Sequence, residues 1–292
     1  MEISIHLRGG NSLTDERVMA LAKGLSYLPH TVRLLGRGEV PGKVDLIVQT
    51  SFASTVALEH AIGHRIPYLI MEGPIFRDMY DLNKVSDFTY NGLQAGGTRP
   101  EPRSDPRRHP KILPMHSDGP TLILGQKPTD MSLRGADHIQ WIKDKQREYP
   151  EAIFRHNPIM VPAGYDEPLG DLLARVARTI SYNSTAAVES VFAGCETICE
   201  HPANEAYSVN GDREEWAHRL SWMQFTHEEL ETSDVAAYIL TGYEEAKENT
   251  RQGKVETPRP KILGSALMSA YYEEFPYEAP GETLIEKVRR ER

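Results

Sequence analysis

The chain has 292 residues, of which 39% are hydrophobic and 26% charged, with a formal net charge of −9. That length suits about two domains, each able to bury its own core, and no apolar run reaches the roughly 20 residues that a bilayer span needs. The acidic balance, with a pI near 5.7, argues against a protein held on nucleic acid by its overall field, although a local basic face stays open.

The first half alternates in α/β fashion. Strands are expected over Ile3 to Leu7, Val32 to Leu35, Val44 to Gln49 and Pro67 to Met71, with helices over Asp15 to Tyr27 and Ser54 to Gly63. The opening MEISIHLRGG reads as a strand and its exit, not as a signal peptide, so a cytoplasmic protein is expected. A Pro-rich stretch, Thr98 to Lys111, follows with five positive residues, four prolines and two acids. It reads as a solvated linker or as a basic face carrying Arg99, Arg103, Arg107, Arg108 and Lys111.

The second half restarts the pattern. Strands are expected over Thr121 to Leu124, Ala152 to Arg155, Arg178 to Tyr182 and Glu196 to Cys199, with helices over Ser132 to Tyr149, Leu169 to Ala177 and the Ala186 to Phe192 stripe, which Gly194 ends. From Asp212 the chain turns helical, and its Trp216, Leu220 and Met223 positions suit a core. The expected domains are residues 1–112, residues 113–245, and a tail of residues 246–292 that packs back on the first domain or across both, or stays partly loose. Cys195 and Cys199 lie four apart along a strand, a spacing for buried thiols and not for a disulfide or a CxxC metal pair.

In open parallel sheets, ligands bind beyond the carboxyl ends of the strands. The loop after the first strand, RGGNS, has Gly9 and Gly10, whose bare backbone a ligand can approach; it is not GxGxxG, which weakens an oxidoreductase reading. The loop after the fourth strand, MEGPIFRD, sets Glu72 and Asp78 about Arg77, either as a general base or as a structural ion pair. In the second half, LGQKPTD offers Gly125 and Gln126, and FRHNP offers Arg155 and His156 to a phosphate or a base. The run YNSTAAVES places Asn183, Ser184 and Thr185 at a helix mouth and delays the first carboxylate to Glu189. An end of positive potential with no acid is expected to take an external anion, the alternative being ordinary capping by Asn or Ser.

RHNP followed by YNSTAAVESVFAG resembles the nucleotide-sugar half of GT-B glycosyltransferases, in particular the bacterial sialyl-, Kdo- and capsule-type transferases with an HP and an S-S/T motif. Here Asn157 separates His156 from Pro158. The resemblance implies a GT-B α/β fold, two Rossmann-like parallel-sheet domains facing across a cleft. It also implies donor-phosphate contacts from His156, Ser184 and Thr185, donor-hydroxyl binding by Glu189, and a base at Glu72-Gly73. A longer series, MEGPIFRD, DFTYNGLQAGG, LILGQKPTD, IFRHNP, SYNSTAAVESVFAG and WAHRLSWMQFTHEEL, is similar to bacteriophage-encoded glycosyltransferase-like proteins. That implies transfer of a sugar to a hydroxymethylated pyrimidine in DNA, in the host cytoplasm, from a nucleotide-sugar co-substrate such as a UDP-sugar. No bound metal, cofactor or membrane is implied. The alternatives are a capsule or lipopolysaccharide saccharide as acceptor, or a non-catalytic nucleotide-binding α/β protein.

Overall fold

A computed structural model describes residues 1–9, 13–50, 55–75, 83–86, 103, 108, 110–133, 135–161, 167–202, 204–209, 211–252 and 264–276. Gly10, Asp78, Arg99 and Arg107 lie outside them. Two compact α/β units emerge, the first from residues 1–112 and 201–257, the second from residues 113–200 and 258–292. Among the described residues no helix is long and apolar enough to cross a membrane.

In the first unit, β1 (Glu2–His6), β2 (Thr31–Leu35), β3 (Leu46–Thr50) and β4 (Tyr68–Glu72) are parallel neighbours, joined by α1 (Leu13–Ser26) and α2 (Thr55–His64). The sheet is not purely parallel, as the sequence had suggested. β5 (Asn83–Ser86) runs antiparallel beside β4, and β10 (Gln224–Phe225) antiparallel beside β5, which gives the order β10-β5-β4-β3-β1-β2. Ile3, Ile5, Leu46, Val48, Leu69 and Met71 pack on Val18, Leu21 and Leu25 of α1. Parallel strands buried in this way read as near-continuous apolar runs, which is why β3 and β4 stand out in the sequence.

The helical run after residue 212 belongs to this unit and not to the second one. α6 (Arg213–Ser221), α7 (His227–Leu230), α8 (Ser233–Ile239) and α9 (Tyr243–Arg251) follow one another, and Leu230, Ala236, Ile239 and Ala246 join the α1 core. Gly24 allows the approach: a Cβ there would stand 2.3 Å from the Leu230 carbonyl oxygen and 3.3 Å from Ala236 Cβ.

The second unit has a four-stranded parallel sheet, β7-β6-β8-β9, from β6 (Thr121–Leu124), β7 (Ile153–Arg155), β8 (Arg178–Ser181) and β9 (Glu196–Cys199). α3 (His138–Glu148), α4 (Leu169–Leu173) and α5 (Ala186–Phe192) connect them. The helix expected from Ser132 starts six residues later. Met131–Leu133 is a separate 3-10 turn, Gly135 takes φ +83°, and Asp137 caps α3 by accepting from the Gln140 amide at 3.0 Å. The tail divides between the units: residues 246–257 belong to the first and residues 258–292 to the second. α10 (Gly264–Glu274) packs Tyr271, with Phe275 just beyond it, against Ile123, Trp141 and Ile180 of the second unit, where Lys143 pairs with Glu274 at 2.7 Å. Both cysteines are buried and outside any disulfide.

Candidate functional site

In the second sheet β6 has β7 on one side and β8 on the other, so the chain reverses its direction of travel between β6 and β8. That is the switch point at which strand-exit loops part and a ligand can enter. Arg155 ends β7 and His156 follows it, while the loops leaving β6 and β8 carry Gly125 and Gln126, and Asn183 to Thr185, respectively.

Gln126 and Asn183 were expected to bind donor; the structure spends them on each other. The Gln126 side-chain Oε1 accepts from the Asn183 amide at 2.7 Å, and its Nε2 donates to the Asn183 carbonyl at 2.9 Å. Asn183 Nδ2 in turn donates to the Ser132 carbonyl at 2.6 Å. A buried side-chain amide whose donor and acceptor both meet main chain is a strut across the switch point. Gly125 is likewise structural. Its amide donates to the Arg155 carbonyl at 2.8 Å, and a Cβ would stand 2.9 Å from that oxygen and 3.1 Å from the Phe154 ring.

His138 completes the frame and had no signal in the sequence beyond following an acidic cap. Its Nε2 accepts from the Gln126 main-chain amide at 2.8 Å, and its ring stacks on Trp141 at 5.2 Å. Burial pulls the imidazole down from 6.5 to about 4, with Asp137 opposing. The ring is therefore neutral at pH 7, which its acceptor role requires.

On the β7 side, Arg155 is buried and sends Nη1 to the His156 carbonyl at 3.5 Å and Nη2 to the Glu167 carbonyl at 3.3 Å. Main-chain carbonyls leave a guanidinium its full charge. His156 is half-buried, with Nδ1 3.0 Å from the Tyr271 hydroxyl. Burial raises the Tyr271 phenol above its ordinary range, so it keeps its hydrogen. A ring whose Nδ1 accepts that hydrogen carries its own N–H on Nε2 and can donate from there. Tyr271 and α10 had no place in the site as read from sequence, because their partner lies 115 residues away. Asn157 caps the turn that begins at Pro158 by accepting from the Ile159 amide at 3.1 Å.

The helix mouth is only partly as expected. No carboxylate closes α5 before Glu189, and Thr185 is exposed and makes no side-chain cap. The first amides are nevertheless engaged: Ala186 N–H donates to Ser184 Oγ at 3.3 Å, Ala187 N–H to the Ser184 carbonyl at 3.0 Å and Val188 N–H to the Thr185 carbonyl at 2.9 Å. The cap is a neutral hydroxyl with tight local turns. Asn183, expected at the cap, does not serve there.

In the first unit, the Gly9 amide already has an acceptor. The Asp15 carboxylate accepts from the Arg8 amide at 2.7 Å and from the Gly9 amide at 2.8 Å, closing the loop with the chain's own acid. Glu72 ends β4 in register with Lys84, half-buried. Of the basic stretch, Arg103 and Arg108 are turned onto partners within the first unit. Both pair with the Glu229 carboxylate and both donate to the Gln224 carbonyl, at 2.9 Å and 2.8 Å. Arg103 also lies over the Trp222 and Phe225 rings, at 4.9 Å and 5.2 Å. A linker reading of composition missed this because the partners lie more than 100 residues along the chain. Lys111 is exposed.

No family model and no curated protein matches the chain. Among solved structures it is similar to the β-Kdo 2,7-transferase of Thermosulfurimonas dismutans KpsC, with a TM-score of 0.47 and 12% identity over 80% of this chain and 99% of that one. The β-Kdo 2,4-transferase of the same protein gives 0.42 and 17% over 77% and 92%. The glycosyltransferase SnogD from Streptomyces nogalater gives 0.21 and 15% over 94% and 99%. Likenesses this loose carry no argument about chemistry, which rests on the residues themselves.

Proposed function

We propose that the chain is a glycosyltransferase of the GT-B type that takes its sugar from a nucleotide-sugar, in the first instance a UDP-sugar. The observation that carries this reading is the carboxyl edge of the second sheet. There a buried guanidinium that donates to two carbonyls and an imidazole braced by Tyr271 stand on one side of the switch point, and a helix start with no acid before Glu189 stands on the other. A leaving diphosphate needs such neutralisation as it gains charge. Arg155, His156, Ser184 and Thr185 would hold its oxygens, and Glu189 the sugar hydroxyls. In an inverting transfer the acceptor oxygen bonds to the anomeric carbon, the bond from that carbon to the diphosphate oxygen breaks, and the acceptor's proton passes to a carboxylate. Glu72 is the proposed base, with Asp78 the other candidate.

The acceptor read from the sequence is a hydroxymethylated pyrimidine in DNA. Two of the five cations assigned to it, Arg103 and Arg108, are committed to Glu229, and that favours the second reading, a saccharide of capsule or lipopolysaccharide type. The test is to incubate the protein with UDP- and CMP-sugars and either hydroxymethylcytosine DNA or an oligosaccharide, then weigh the products. A mass gain on one acceptor supports the corresponding reading. Calorimetry showing that neither UDP nor CMP binds overturns the donor site itself.

A further inference from the structure

Arg17 is a buried cation in the first unit that no described acid answers. It is 8% exposed, burial lowers its pKa with no acid opposing, and its Nε meets no hydrogen-bond partner. Among the described residues no carboxylate pairs with it. An arginine taken out of water without a counter-charge costs several kcal/mol, and sequences ordinarily place an acid beside it or leave it at the surface. Thr50 shows the same want nearby: it is 2% exposed and its hydroxyl has no partner.

Topology brings the two together. α1 crosses over between the parallel strands β1 and β2, so its first turns lie at their carboxyl edge, the edge at which β3 ends in Thr50. Side chains alternate along β3, and Leu46 and Val48 pack into the α1 core, so Thr50 is on the α1 face as well. Thr50 is in register with Met71, and two residues beyond Met71 comes Gly73, where a Cβ would stand 3.5 Å from Arg17 Nη1. A guanidinium thus adjoins the main chain of Gly73 just past β4, with the Thr50 hydroxyl on the α1 face at the end of the neighbouring β3.

We infer that Arg17, Thr50 and Gly73 form a seat for an oxyanion, a carboxylate or a phosphate carried by the acceptor. Planar N–H pairs of arginine match either group, and a buried guanidinium with no acid beside it among the described residues discriminates strongly for charge. Gly73 follows the proposed base Glu72, so an acceptor anchored by its anion would be held one residue from the carboxylate that takes its proton. The assignment to the acceptor rests on the transferase reading; the seat itself does not.

The test reads the seat directly, without donor or transfer. In 15N-arginine-labelled full-length protein, the Arg17 Nε–H signal is the one missing from Arg17→Lys. Inorganic phosphate and, separately, acetate are titrated against it. A saturable shift of that signal with either anion, weakened at least tenfold in Thr50→Val, supports the seat, and the anion that shifts it tells a phosphate-bearing from a carboxylate-bearing acceptor. If neither anion moves the signal, or if Thr50→Val binds as tightly as the natural chain, the proposal fails. Should Arg17→Lys not fold, the signal is assigned through its contact with Gly73, and the same titration of the natural chain decides. Loss of UDP or CMP binding in the second unit would leave this result untouched, so the two readings fail separately.

Discussion

Two strand-to-helix loops, one in each unit, solve the same electrostatic problem in opposite ways. The loop from β1 into α1 turns the amides of Arg8 and Gly9 onto the Asp15 carboxylate, a full charge from the chain itself. The loop from β8 into α5 uses the Ser184 hydroxyl and two tight turns, and its first acid waits until Glu189. Charge-assisted bonds are about twice as strong as neutral ones, so the Arg8 and Gly9 amides already have a charged acceptor while the start of α5 has only a neutral one. Glycines alone therefore do not mark a phosphate loop. An acid in the following turn decides whether the amides already have an owner.

The hardest blow to the second loop comes from the other end of its helix. Gly194 has φ +86°, and a Cβ there would stand 2.2 Å from the Pro114 carbonyl oxygen. Relief would have to move the α5 end or the Leu113–His116 segment, whose amides bond to Phe192 and Gly194 carbonyls at 2.9 Å and 2.8 Å. Gly194→Ala is expected to cost about 3 kcal/mol or more, seen as a lowered transition in denaturant unfolding. An unchanged midpoint would mean that α5 is not anchored there.

Ser184→Asp makes the second loop resemble the first. The new carboxylate would occupy the helix start, so donor affinity should fall by about a hundredfold, or roughly 2.7 kcal/mol. Stability should hold or rise, since an acid suits that end. Calorimetric titration with the nucleotide diphosphate against melting temperature separates the two effects, and equal affinity in both proteins would remove Ser184 from the donor site.

His138 supplies a pH handle on the same frame. Its folded pKa, about 4, lies below the unfolded value of 6.5, so the neutral ring favours the fold. That contribution is fully present above pH 6.5 and is lost as pH falls toward 4. Between pH 7 and pH 5 the loss should be about 2 kcal/mol, and protonation would also break the bond from the Gln126 amide. Denaturant unfolding across that range should show the slope, flattened in His138→Gln. A slope unaffected by the substitution would show that the ring is not held neutral by the fold.

Much of this was legible from residue pattern. β6 and β9 fall where expected, and β1, β3 and β4 lie within a residue or two, because buried parallel strands flanked by turn residues announce themselves locally. What was hidden depends on distant pairings. β10 is two residues long and is a strand only because β5 lies beside it. The membership of the α6 to α9 run was set by a glycine on α1 that admits Leu230 and Ala236, and that of α10 by Tyr271 filling the second core. The site divides in the same way. Arg155 and His156 are found at a strand exit as their residue types suggest, whereas Gln126 and Asn183 looked like ligand groups until their mutual hydrogen bonds, 57 residues apart, were visible.

The mildest test works from the first loop. Asp15→Asn keeps the shape and one acceptor oxygen but removes the charge that two amides share. The expected cost is about 1 kcal/mol, the difference between charged and neutral hydrogen bonds at an exposed site. Donor affinity should not change, because the deficit lies in the other unit. The decisive measurement is binding of inorganic sulfate at low salt. If the carboxylate owns those amides in the natural chain, the variant should bind the anion more tightly than its parent, and Ser184→Asp should bind it less tightly. Equal binding by all three proteins would mean that neither loop is governed by the acid that follows it.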